Sequence, residues 1–570
     1  MAADDRMEVF VQKKWDVATP VPPSYLDRFP ALSPLLLQVL YNRGVDEPES
    51  FLSGAWSLTD PFTMADMPRA VDILTRATKN KVPIAVYGDF DTDGVTATAL
   101  LVQTLTELGA DVRPYIPNRV EEGYGLNLDA LRKLYRDGVR LVVTVDCGIR
   151  SLTEIDQARR GIEFIVTDHH SVGSRLPPAS AVLNPKREDC RYPYKELAGV
   201  GVALKLAQAL LYEAGASRLP ADVAERSLLD LVALGTVSDV APLLGENRAL
   251  VKRGLEVLNE PQREGVRALI RVAGAGPGKI SAATIGFGLG PRLNASGRLG
   301  DSWLSYNLLV THDVQEARRL AAKLDEQNRL RQELTMKAYQ RAEQIALAHA
   351  DEPLLFAAAD DFASGIVGLV AGRLTEAYYR PSVVVETGDT VCKGSCRSIK
   401  EFHITRALDE CSDLLLRHGG HAAAAGFTVA REHLDTLARR LSDIARRELD
   451  GKDLAPTLAI DADVPLADMN WAIAEWLRKL EPCGERNPIP LFLSRRVPVV
   501  SRKAVGNEGV HLKLALGTGS EEREAIAFRM GERLSRLGDQ VDVVYALDVN
   551  EWNGDARLQL NVQDIRTSAG

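Results

Sequence analysis

The chain has 570 residues, of which 45% are apolar, so at roughly 150 residues per domain we expect about three to four globular domains. The first residues lack a continuous apolar stretch, and no apolar run reaches the roughly 20 residues of a membrane helix, so we expect a soluble, cytoplasmic protein with no membrane partner, whose cysteines are reduced. The net charge of −9 argues against a basic surface over the whole chain, although a local basic groove would not show in this sum.

Residues 1 to about 75 form a mixed N-terminal segment, in which the proline-rich stretch VATPVPPSYLDRFP precedes short predicted helices. From residue 82 onward, predicted strands alternate with predicted helices. The strands are VPIAVYG, DVRPYIP, LVVTVD and EFIVTD. This alternation predicts a parallel sheet covered by helices on both faces, and we assign it to a domain spanning 76–265.

Acidic and histidine side chains follow three of these predicted strands. They are Asp89, Asp91 and Asp93 in GDFDTDG, Asp146 after LVVTV, and Asp168, His169 and His170 in TDHH. Parallel α/β sheets place ligands at the carboxyl ends of their strands, so we expect these side chains to converge. Carboxylates that share a site need protons or divalent cations to offset their repulsion, and carboxylates mixed with imidazole favour manganese. The pattern therefore predicts a metal-dependent hydrolase.

Each of these motifs also has a plain structural interpretation. GDFDTDG would suit an acidic, solvated turn, and its spacing resembles half of a calcium loop, but position 12 of that loop is Leu100 instead of Glu. Asp239, which ends the helical stretch SLLDLVALGTVSD, would suit an ordinary helix end. The shared strand-end position favours metal binding, with Asp146 as the candidate bridge between two ions and Asp239 as a further ligand.

The second half of the chain contains three further predicted parts. Residues 266–350 form a connector that ends in a long, charged helix starting at Val314, of the kind that bridges two lobes. A second α/β domain, 351–450, includes the glycine-rich stretch HGGHAAAAGF. The last part, 451–570, has short strands such as HLKLALG and VDVVYALDV, which suggest a small β-barrel of the oligonucleotide-binding (OB) type.

Several of these motifs together carry a resemblance to a known family. GDFDTDG, VDCG, TDHH and GGHAAAAGF resemble the DHH phosphoesterase superfamily with its DHHA1 companion domain. PRLNASGRLG and LEPCGERNPIPLF are similar to motifs of the RecJ family of exonucleases, and the resemblance covers roughly residues 50 to 570. It implies an exonuclease that needs Mn²⁺ or Mg²⁺, two ions in all, and that releases mononucleotides from the 5′ end of single-stranded DNA in DNA repair and recombination.

The resemblance also implies roles for individual residues. The metal ligands would be Asp91, Asp93, Asp146, His169 and Asp239, and His170 would face the scissile phosphate. We also predict Asp89 as a ligand, at a position where related phosphatases often have histidine. Asp146, His169 and His170 would form the catalytic set.

Basic and small residues outside the metal cluster are predicted to hold the 5′ phosphate and the strand behind it. They are Arg119, Arg292, Asn294, Ser296, Arg298, Arg373, Ser395, Arg397, Gly419, Gly420 and His421. Guanidinium groups bind phosphate bidentately, and glycines let backbone amides approach it closely. For any single arginine a solvated surface position is the ordinary alternative, and tight packing is the alternative for the glycines.

Two other functions remain open at this stage. The same core would suit a phosphodiesterase for short oligonucleotides or cyclic dinucleotides, and a protein of this kind would also suit a non-catalytic DNA-binding scaffold. The predicted C-terminal barrel and the PRLNASGRLG motif favour a longer polymer as substrate. The resemblance implies association with single-strand-binding protein or a helicase, and we expect the protein to be a monomer.

Overall fold

The computed structural model describes residues 12–53, 59–118, 122–123, 125–215, 225–276, 278–552 and 555–568. The chain forms two compact units, each built from separate stretches of sequence. The first unit contains Met1–Gln12, Thr59–Ala241 and Arg253–Pro456, and the second contains Lys13–Leu58, Pro242–Lys252 and Thr457–Gly570. Among the described residues, no helix combines the length and the apolar character needed to cross a membrane.

Within the described residues, the strands lie in four sheets. They are β1 (Lys14–Val17), β2 (Ile84–Tyr87), β3 (Val112–Tyr115), β4 (Leu141–Val145), β5 (Glu163–Thr167), β6 (Ala181–Leu183), β7 (Leu355–Ala359), β8 (Ser382–Thr387), β9 (Val391–Arg397), β10 (Leu415–His421), β11 (Ala424–Ala430), β12 (Thr457–Ile460), β13 (Ala462–Asp463), β14 (Phe492–Val505), β15 (His511–Leu516), β16 (Arg523–Ala527), β17 (Gln540–Trp552) and β18 (Asp555–Thr567).

The α-helices of the first unit are Met67–Lys79, Thr92–Glu107, Leu128–Arg136, Leu152–Ala158, Gly199–Glu213, Leu229–Ser238, Glu264–Val272, Ala282–Thr284, Gly290–Arg298, Trp303–Val310, Val314–Leu347, Val367–Tyr378, Ile404–Asp409 and Leu434–Leu449. Those of the second unit are Pro23–Leu26, Pro34–Asn42, Pro48–Ser53 and Trp471–Arg478, and the helix Gly245–Asn259 includes residues of both units. One turn of π-helix, Ile285–Leu289, precedes Gly290–Arg298.

The first sheet confirms the predicted parallel α/β domain. Its five strands are all parallel, in the order β3-β2-β4-β5-β6. The apolar strands β2 and β4 are buried along their whole length, as expected of a parallel sheet with both faces covered. Because β3 and β4 flank β2 on opposite sides, the strand order reverses between β2 and β4, and this is where such sheets bind ligands.

A second sheet, in the order β10-β11-β9-β8-β7, forms the predicted second α/β domain. Only the β7–β8 pair is parallel in it. The long helix Val314–Leu347 connects the two domains within the first unit, as predicted. Its last turns bury Ala338, Ala342 and Ala346 against the second domain, and Asp325, nearer its start, pairs with Arg292 of the connector.

In the second unit, five strands hydrogen-bond in a ring: β14 pairs with β15, β15 with β16, β16 with β18, β18 with β17, and β17 with β14. This arrangement agrees with the predicted small OB-like barrel. The N-terminal helix Pro34–Asn42 packs into the same core, where Leu36 and Leu40 join Phe492 and Tyr545. The strands β1 and β12 pair in parallel. Residues 13–58 are therefore part of this unit instead of a separate N-terminal segment.

Candidate active site

The predicted strand-end clusters lie at the reversal point between β2 and β4. Asp91 ends the loop after β2 and caps the helix Thr92–Glu107, accepting a hydrogen bond from the Gly94 amide at 3.1 Å. Asp146 follows β4 directly and has a positive φ of 59°, which turns the chain sharply at the end of the strand. Asp93, Asp146 and His169 are all buried. Sequence position on adjacent strands thus brings the three motifs to one place.

His169 lies at the centre of this cluster. Its Nε2 atom is 3.0 Å from Asp146 Oδ1, 3.9 Å from Asp93 Oδ2 and 3.8 Å from Asp239 Oδ2. Three groups of side chains have ligand atoms close enough to hold a metal ion: Asp89, Asp91 and Asp146; Asp93, His169 and Asp239; and Asp146, His169 and His170. Every predicted metal ligand belongs to at least one group. Asp146 and His169 each belong to two, which suits a site for two neighbouring ions.

Backbone amides at the start of the helix Gly199–Glu213 hold Asp93 in this cluster. The Gly199 and Val200 amides donate to its two carboxylate oxygens at 2.7 and 2.8 Å. A Cβ atom at Gly199 would lie 2.7 Å from Asp146 Oδ1, so this position has no room for a side chain. The sequence analysis did not predict this contact. The feature that could have indicated it is the run of small residues at the start of the apolar stretch LAGVGVALKLA.

Asp168 orients His170, and both of its carboxylate oxygens already accept hydrogen bonds. Its Oδ1 atom accepts hydrogen bonds from the His169 and His170 amides and lies 2.8 Å from His170 Nδ1, and its Oδ2 atom accepts one from the Ile149 amide. Burial opposes a low pKa for Asp168, but the hydrogen bonds from His170 and the amides hold this pKa below its usual value. Burial likewise opposes a high pKa for His170, but Asp168 raises it.

The electrostatics of the cluster favour cations. Burial and the neighbouring carboxylate of Asp91 raise the pKa of Asp93 to about 7, and burial and Asp93 raise that of Asp239 to about 9. Burial and the same carboxylates hold the pKa of Asp146 well above its usual value. Burial and the nearby His170 lower the pKa of His169 to about 3, so its imidazole is neutral and able to bind a metal.

Three buried atoms in the cluster make no hydrogen bond within the described chain. One is Asp89 Oδ1, and the other two, Asp146 Oδ1 and His169 Nε2, face each other. Unsatisfied buried polar atoms are rare in proteins, and an ion between the two facing atoms would satisfy both. Several carboxylate oxygens and one or two imidazole nitrogens form a donor set that suits Mn²⁺ or Mg²⁺. The side chains present therefore fit a divalent metal centre.

A cleft of about 1290 Å³ adjoins the cluster within the first unit. Asp168 and His170 line its metal side, and the second sheet forms its opposite wall. The predicted phosphate-binding residues that line the cleft are Arg298, Ser395, Arg397, Gly419, Gly420 and His421, and Lys393 joins them. Gly419, Gly426 and Ser395 lie side by side on three adjacent strands of this sheet. This row of small residues lies between Lys393 on one side and Arg397 on the other.

The glycine-rich stretch adopts a different structure from the expected amide nest. Gly419, Gly420 and His421 belong to the edge strand β10, which pairs with β11 in a hairpin. Gly420 has a φ of 151°, and a Cβ atom there would lie 2.4 Å from the Ala424 carbonyl oxygen. A Cβ at Gly419 would meet nothing within 4 Å, so its absence leaves an open surface on the cleft.

The PRLNASGRLG motif, whose polar residues and glycines suggest a polar loop, instead forms most of the helix Gly290–Arg298, and of the residues of this helix only Arg298 lines the cleft. Arg292 pairs with Asp325, Ser296 is buried and hydrogen-bonds Ser305, and Asn294 accepts a hydrogen bond from the Thr92 amide at 2.8 Å. These three side chains position the structure around the metal motif. Arg373 is exposed on the helix Val367–Tyr378 and is not among the described residues that line the cleft. Arg119 lies outside the described residues.

Models of three protein families match the chain: the DHH family N-terminal domain over 83–236, the DHHA1 domain over 351–447 and the RecJ OB domain over 460–564. The chain is 37% identical to the single-stranded-DNA-specific exonuclease RecJ of Bacillus subtilis, over 94% of this chain and 68% of that protein. It is 37% identical to RecJ of Dickeya dadantii, over 95% of this chain and 98% of that protein. It is 36% identical to RecJ of Escherichia coli, over 94% of this chain and 96% of that protein.

Solved structures give the same picture for the fold. The crystal structure of Thermus thermophilus RecJ in complex with Mn²⁺ superposes with a TM-score of 0.85 and 31% sequence identity, over 98% of this chain and 80% of that one. The complex of the same protein with Mg²⁺ gives a TM-score of 0.80 and 30% identity, over 98% and 79%.

Proposed function

Because the chain belongs to the RecJ family of DHH exonucleases, we propose that it degrades single-stranded DNA from the 5′ end to mononucleotides with Mn²⁺ or Mg²⁺ as cofactor. The observation that carries this proposal is the continuity of the metal-binding cluster with a cationic cleft. His170 belongs to both, since its side chain joins a group of potential metal ligands and lines the cleft.

The cluster would hold two ions. Asp89, Asp91 and Asp146 would bind one, Asp93, His169 and Asp239 the other, and Asp146 would bridge them. Ions bound there would lower the pKa of an attacking water and stabilise the leaving oxygen of the phosphodiester. Asp93 keeps its geometry through the Gly199 and Val200 amides, so the ligand set is formed in advance.

The residues of the cleft have separate tasks. His170, oriented by Asp168, retains a proton more readily than an ordinary histidine and donates a hydrogen bond to a phosphate oxygen of the substrate. Arg298, Lys393 and Arg397 neutralise the 5′ phosphate, and Ser395 adds a hydroxyl beside them. The Cβ-free surface of Gly419 and Gly426 leaves room for the first nucleotide to lie flat against the sheet.

The alternatives are weaker on specific grounds. A phosphodiesterase limited to short oligonucleotides has no evident use for the second unit, which matches the RecJ OB domain. A non-catalytic scaffold has no need of a complete set of buried, mutually repelling ligands, and every predicted ligand is present in the cluster.

End-labelled DNA tests the proposal directly. With Mn²⁺, a 5′-labelled single strand should release labelled mononucleotide from the first time point, while a 3′-labelled strand shortens progressively and a blunt duplex persists. Asp146→Asn should reduce turnover by about 100-fold or more, because it removes the bridging carboxylate. Release of the 3′ label first, or undiminished turnover by the variant, would contradict the proposal.

The cellular role forms a further part of the proposal. The enzyme acts in the cytoplasm, as a monomer, in DNA repair and recombination, where a helicase supplies single strands and single-strand-binding protein accompanies them. The cleft of the first unit would be the substrate channel, and we expect the enzyme to need strands that are already unwound. Light scattering of the purified protein tests the monomer, and degradation of a duplex only after a helicase is added tests the dependence on unwinding.

A further inference from the structure

Phe287 is the most exposed large apolar residue of the first unit among those described. Its side chain is 89% exposed, whereas Ile285 and Leu289 of the same π-helical turn are fully buried. Single exposed apolar residues are common on protein surfaces, so exposure alone assigns no role to this ring. Its setting and its position relative to the metal cluster carry the inference.

The turn that presents Phe287 is held firmly. Ser281 and Thr284 form a capping box at its start, and the Arg292 guanidinium donates to the Gly288 carbonyl oxygen at 2.8 Å. The same guanidinium pairs with Asp325 of the long helix. π-Helical turns are rare and occur frequently at functional sites. The aromatic ring therefore projects from a fixed support.

Glycine on either side of Phe287 leaves the ring uncovered. A Cβ atom at Gly286 would meet only Val237, at 3.9 Å, and one at Gly288 would meet only Thr284, at 4.0 Å. No neighbouring side chain projects over the ring from these positions. An exposed, rigidly held aromatic ring is the type of surface on which single-stranded nucleic acids stack their bases, irrespective of sequence.

The turn and the helix that follows it also contact two of the segments that carry metal ligands. Gly286 faces Val237, and Gly290 packs so closely on Ser238 that an added Cβ would lie 2.4 Å from its hydroxyl oxygen. Asp239 follows at once, and Val240 beyond it is 64% exposed. Asn294 of the adjoining helix binds the Thr92 amide, next to Asp91 and Asp93. The turn that carries Phe287 therefore packs against the residues just before Asp239 in the metal cluster.

The cleft adjoins the cluster at His170. His170 lines it, whereas Asp239 is not among its lining residues within the described chain. If the first nucleotide occupies the cleft, as in the function proposed above, the scissile bond lies over the metals and the rest of the strand leaves past Asp239. We propose that Phe287 stacks on a base on the 3′ side of the scissile bond and so helps to hold the part of the strand that remains after each cleavage. This inference rests on the proposed exonuclease activity.

Kinetics with Phe287→Ala test the stacking role. On a long 5′-phosphorylated single strand, we expect KM to rise by about 5- to 150-fold, the range that corresponds to the loss of one base–aromatic stack, with kcat little changed. Phe287→Trp should retain wild-type KM. On a strand in which the nucleotides after the first are abasic, the wild type and Phe287→Ala should have equal KM, because no base is available to stack.

Tyr212→Ala is the matched control. Tyr212 is 74% exposed and lies at the far end of the helix that starts at Gly199, about 20 Å along its axis from the metal cluster. This variant should keep wild-type KM on both strands. Equal KM of Phe287→Ala and the wild type on the normal strand, or an equal loss on the abasic strand, would overturn the inference while leaving the exonuclease intact. Absence of cleavage by the wild type would instead refute the proposed function.

Discussion

Asp168 shows how a single buried carboxylate prepares a neighbouring side chain for chemistry. It accepts hydrogen bonds from three backbone amides and contacts His170 Nδ1, so the imidazole has one orientation. The carboxylate also raises the pKa of His170 against the effect of burial. Metal ligands and phosphate-facing groups are commonly fixed in this way by residues that never touch the substrate.

Replacement of Asp168 by Asn should therefore reduce kcat by about 10- to 100-fold while Mn²⁺ affinity changes little. Because the His170 imidazolium loses its anionic partner, its pKa should fall, and the loss of activity with rising pH should begin at a lower pH than in the wild type. A pH profile of kcat measures this shift. Asp156→Asn, at an exposed position paired with Arg159, is the control and should leave the profile unchanged. An unshifted profile in Asp168→Asn would contradict the role.

Asp239 is a proposed metal ligand whose burial beside other carboxylates lowers the stability of the metal-free protein. Without metal, the pKa of Asp239 is about 9 in the folded chain, because of burial and Asp93, against about 3.8 when unfolded. The folded state therefore holds a proton that the unfolded state has lost, and the free energy of unfolding falls as pH rises between these two values. Below the lower value this contribution to the pH dependence vanishes.

Asp239→Asn should accordingly stabilise the metal-free protein and abolish activity. In EDTA, its Tm should exceed that of the wild type, by more at pH 8.5 than at pH 5, at roughly 2–4 °C per kcal/mol. With Mn²⁺, the order should reverse, since only the wild type has the complete ligand set. Thermal melts at both pH values, with and without metal, measure this. A pH-independent difference would show that Asp239 is not the group responsible.

At the scale of elements, the start of the helix Gly199–Glu213 determines the geometry of two ligands at once. Its first amides bind Asp93, and Gly199 leaves space for Asp146. Gly199→Ala should reduce Mn²⁺ affinity by about 10-fold or more, because the added methyl group would overlap the Asp146 carboxylate. Calorimetric Mn²⁺ titration tests this. In Gly201→Ala, the same methyl group on the same helix meets only Leu197, at 3.3 Å, so that variant should bind Mn²⁺ normally.

The predictability of these elements from sequence depends on how local their signals are. The strands β2, β4 and β5 are short apolar runs, and the ligands follow them directly, so both the sheet and the cluster were predictable. PRLNASGRLG contains two glycines and a proline and suggests a loop, yet most of it is helical. Pro291 stands in the first turn, where proline is tolerated, and Asn294 accepts a hydrogen bond from the Thr92 amide, 202 residues away in sequence. Tertiary contacts of this kind do not change the hydrophobic periodicity of the sequence, so they cannot be predicted from it.

At the scale of the whole molecule, the composition of the second unit was not predictable. It combines 13–58, 242–252 and 457–570, although the first and last of these are separated by about two thirds of the chain. Leu36 and Leu40 belong to an ordinary amphipathic helix, and the sequence of that helix does not indicate that it packs against Phe492 and Tyr545. The motif LEPCGERNPIPLF, which in the sequence indicates only a family resemblance, supplies backbone carbonyl groups that bind Arg248 in this unit.

Arg248 joins all three segments of the second unit. Its guanidinium donates to the carbonyl oxygens of Leu480, Glu481 and Pro482 in that motif, of Lys479 just before it, and of Phe51. Burial lowers the pKa of Arg248 to about 10, consistent with a buried cation whose direct hydrogen-bonding partners are neutral carbonyls. Five donors in a fixed fork suit this set of acceptors, and a lysine ammonium, with three donors, cannot reach them all.

Arg248→Lys should therefore lower the free energy of unfolding of the second unit by about 2–4 kcal/mol, because buried carbonyls lose charged hydrogen-bond donors. All of the proposed metal ligands lie in the first unit, so Mn²⁺ affinity should stay unchanged. Urea unfolding followed by intrinsic tryptophan fluorescence would measure the loss, since Trp15, Trp471 and Trp476 lie in the second unit. Arg253→Lys, on the same helix, should leave the unfolding curve unaltered. An equal loss in both variants would mean that the fork of hydrogen bonds does not hold the three segments together.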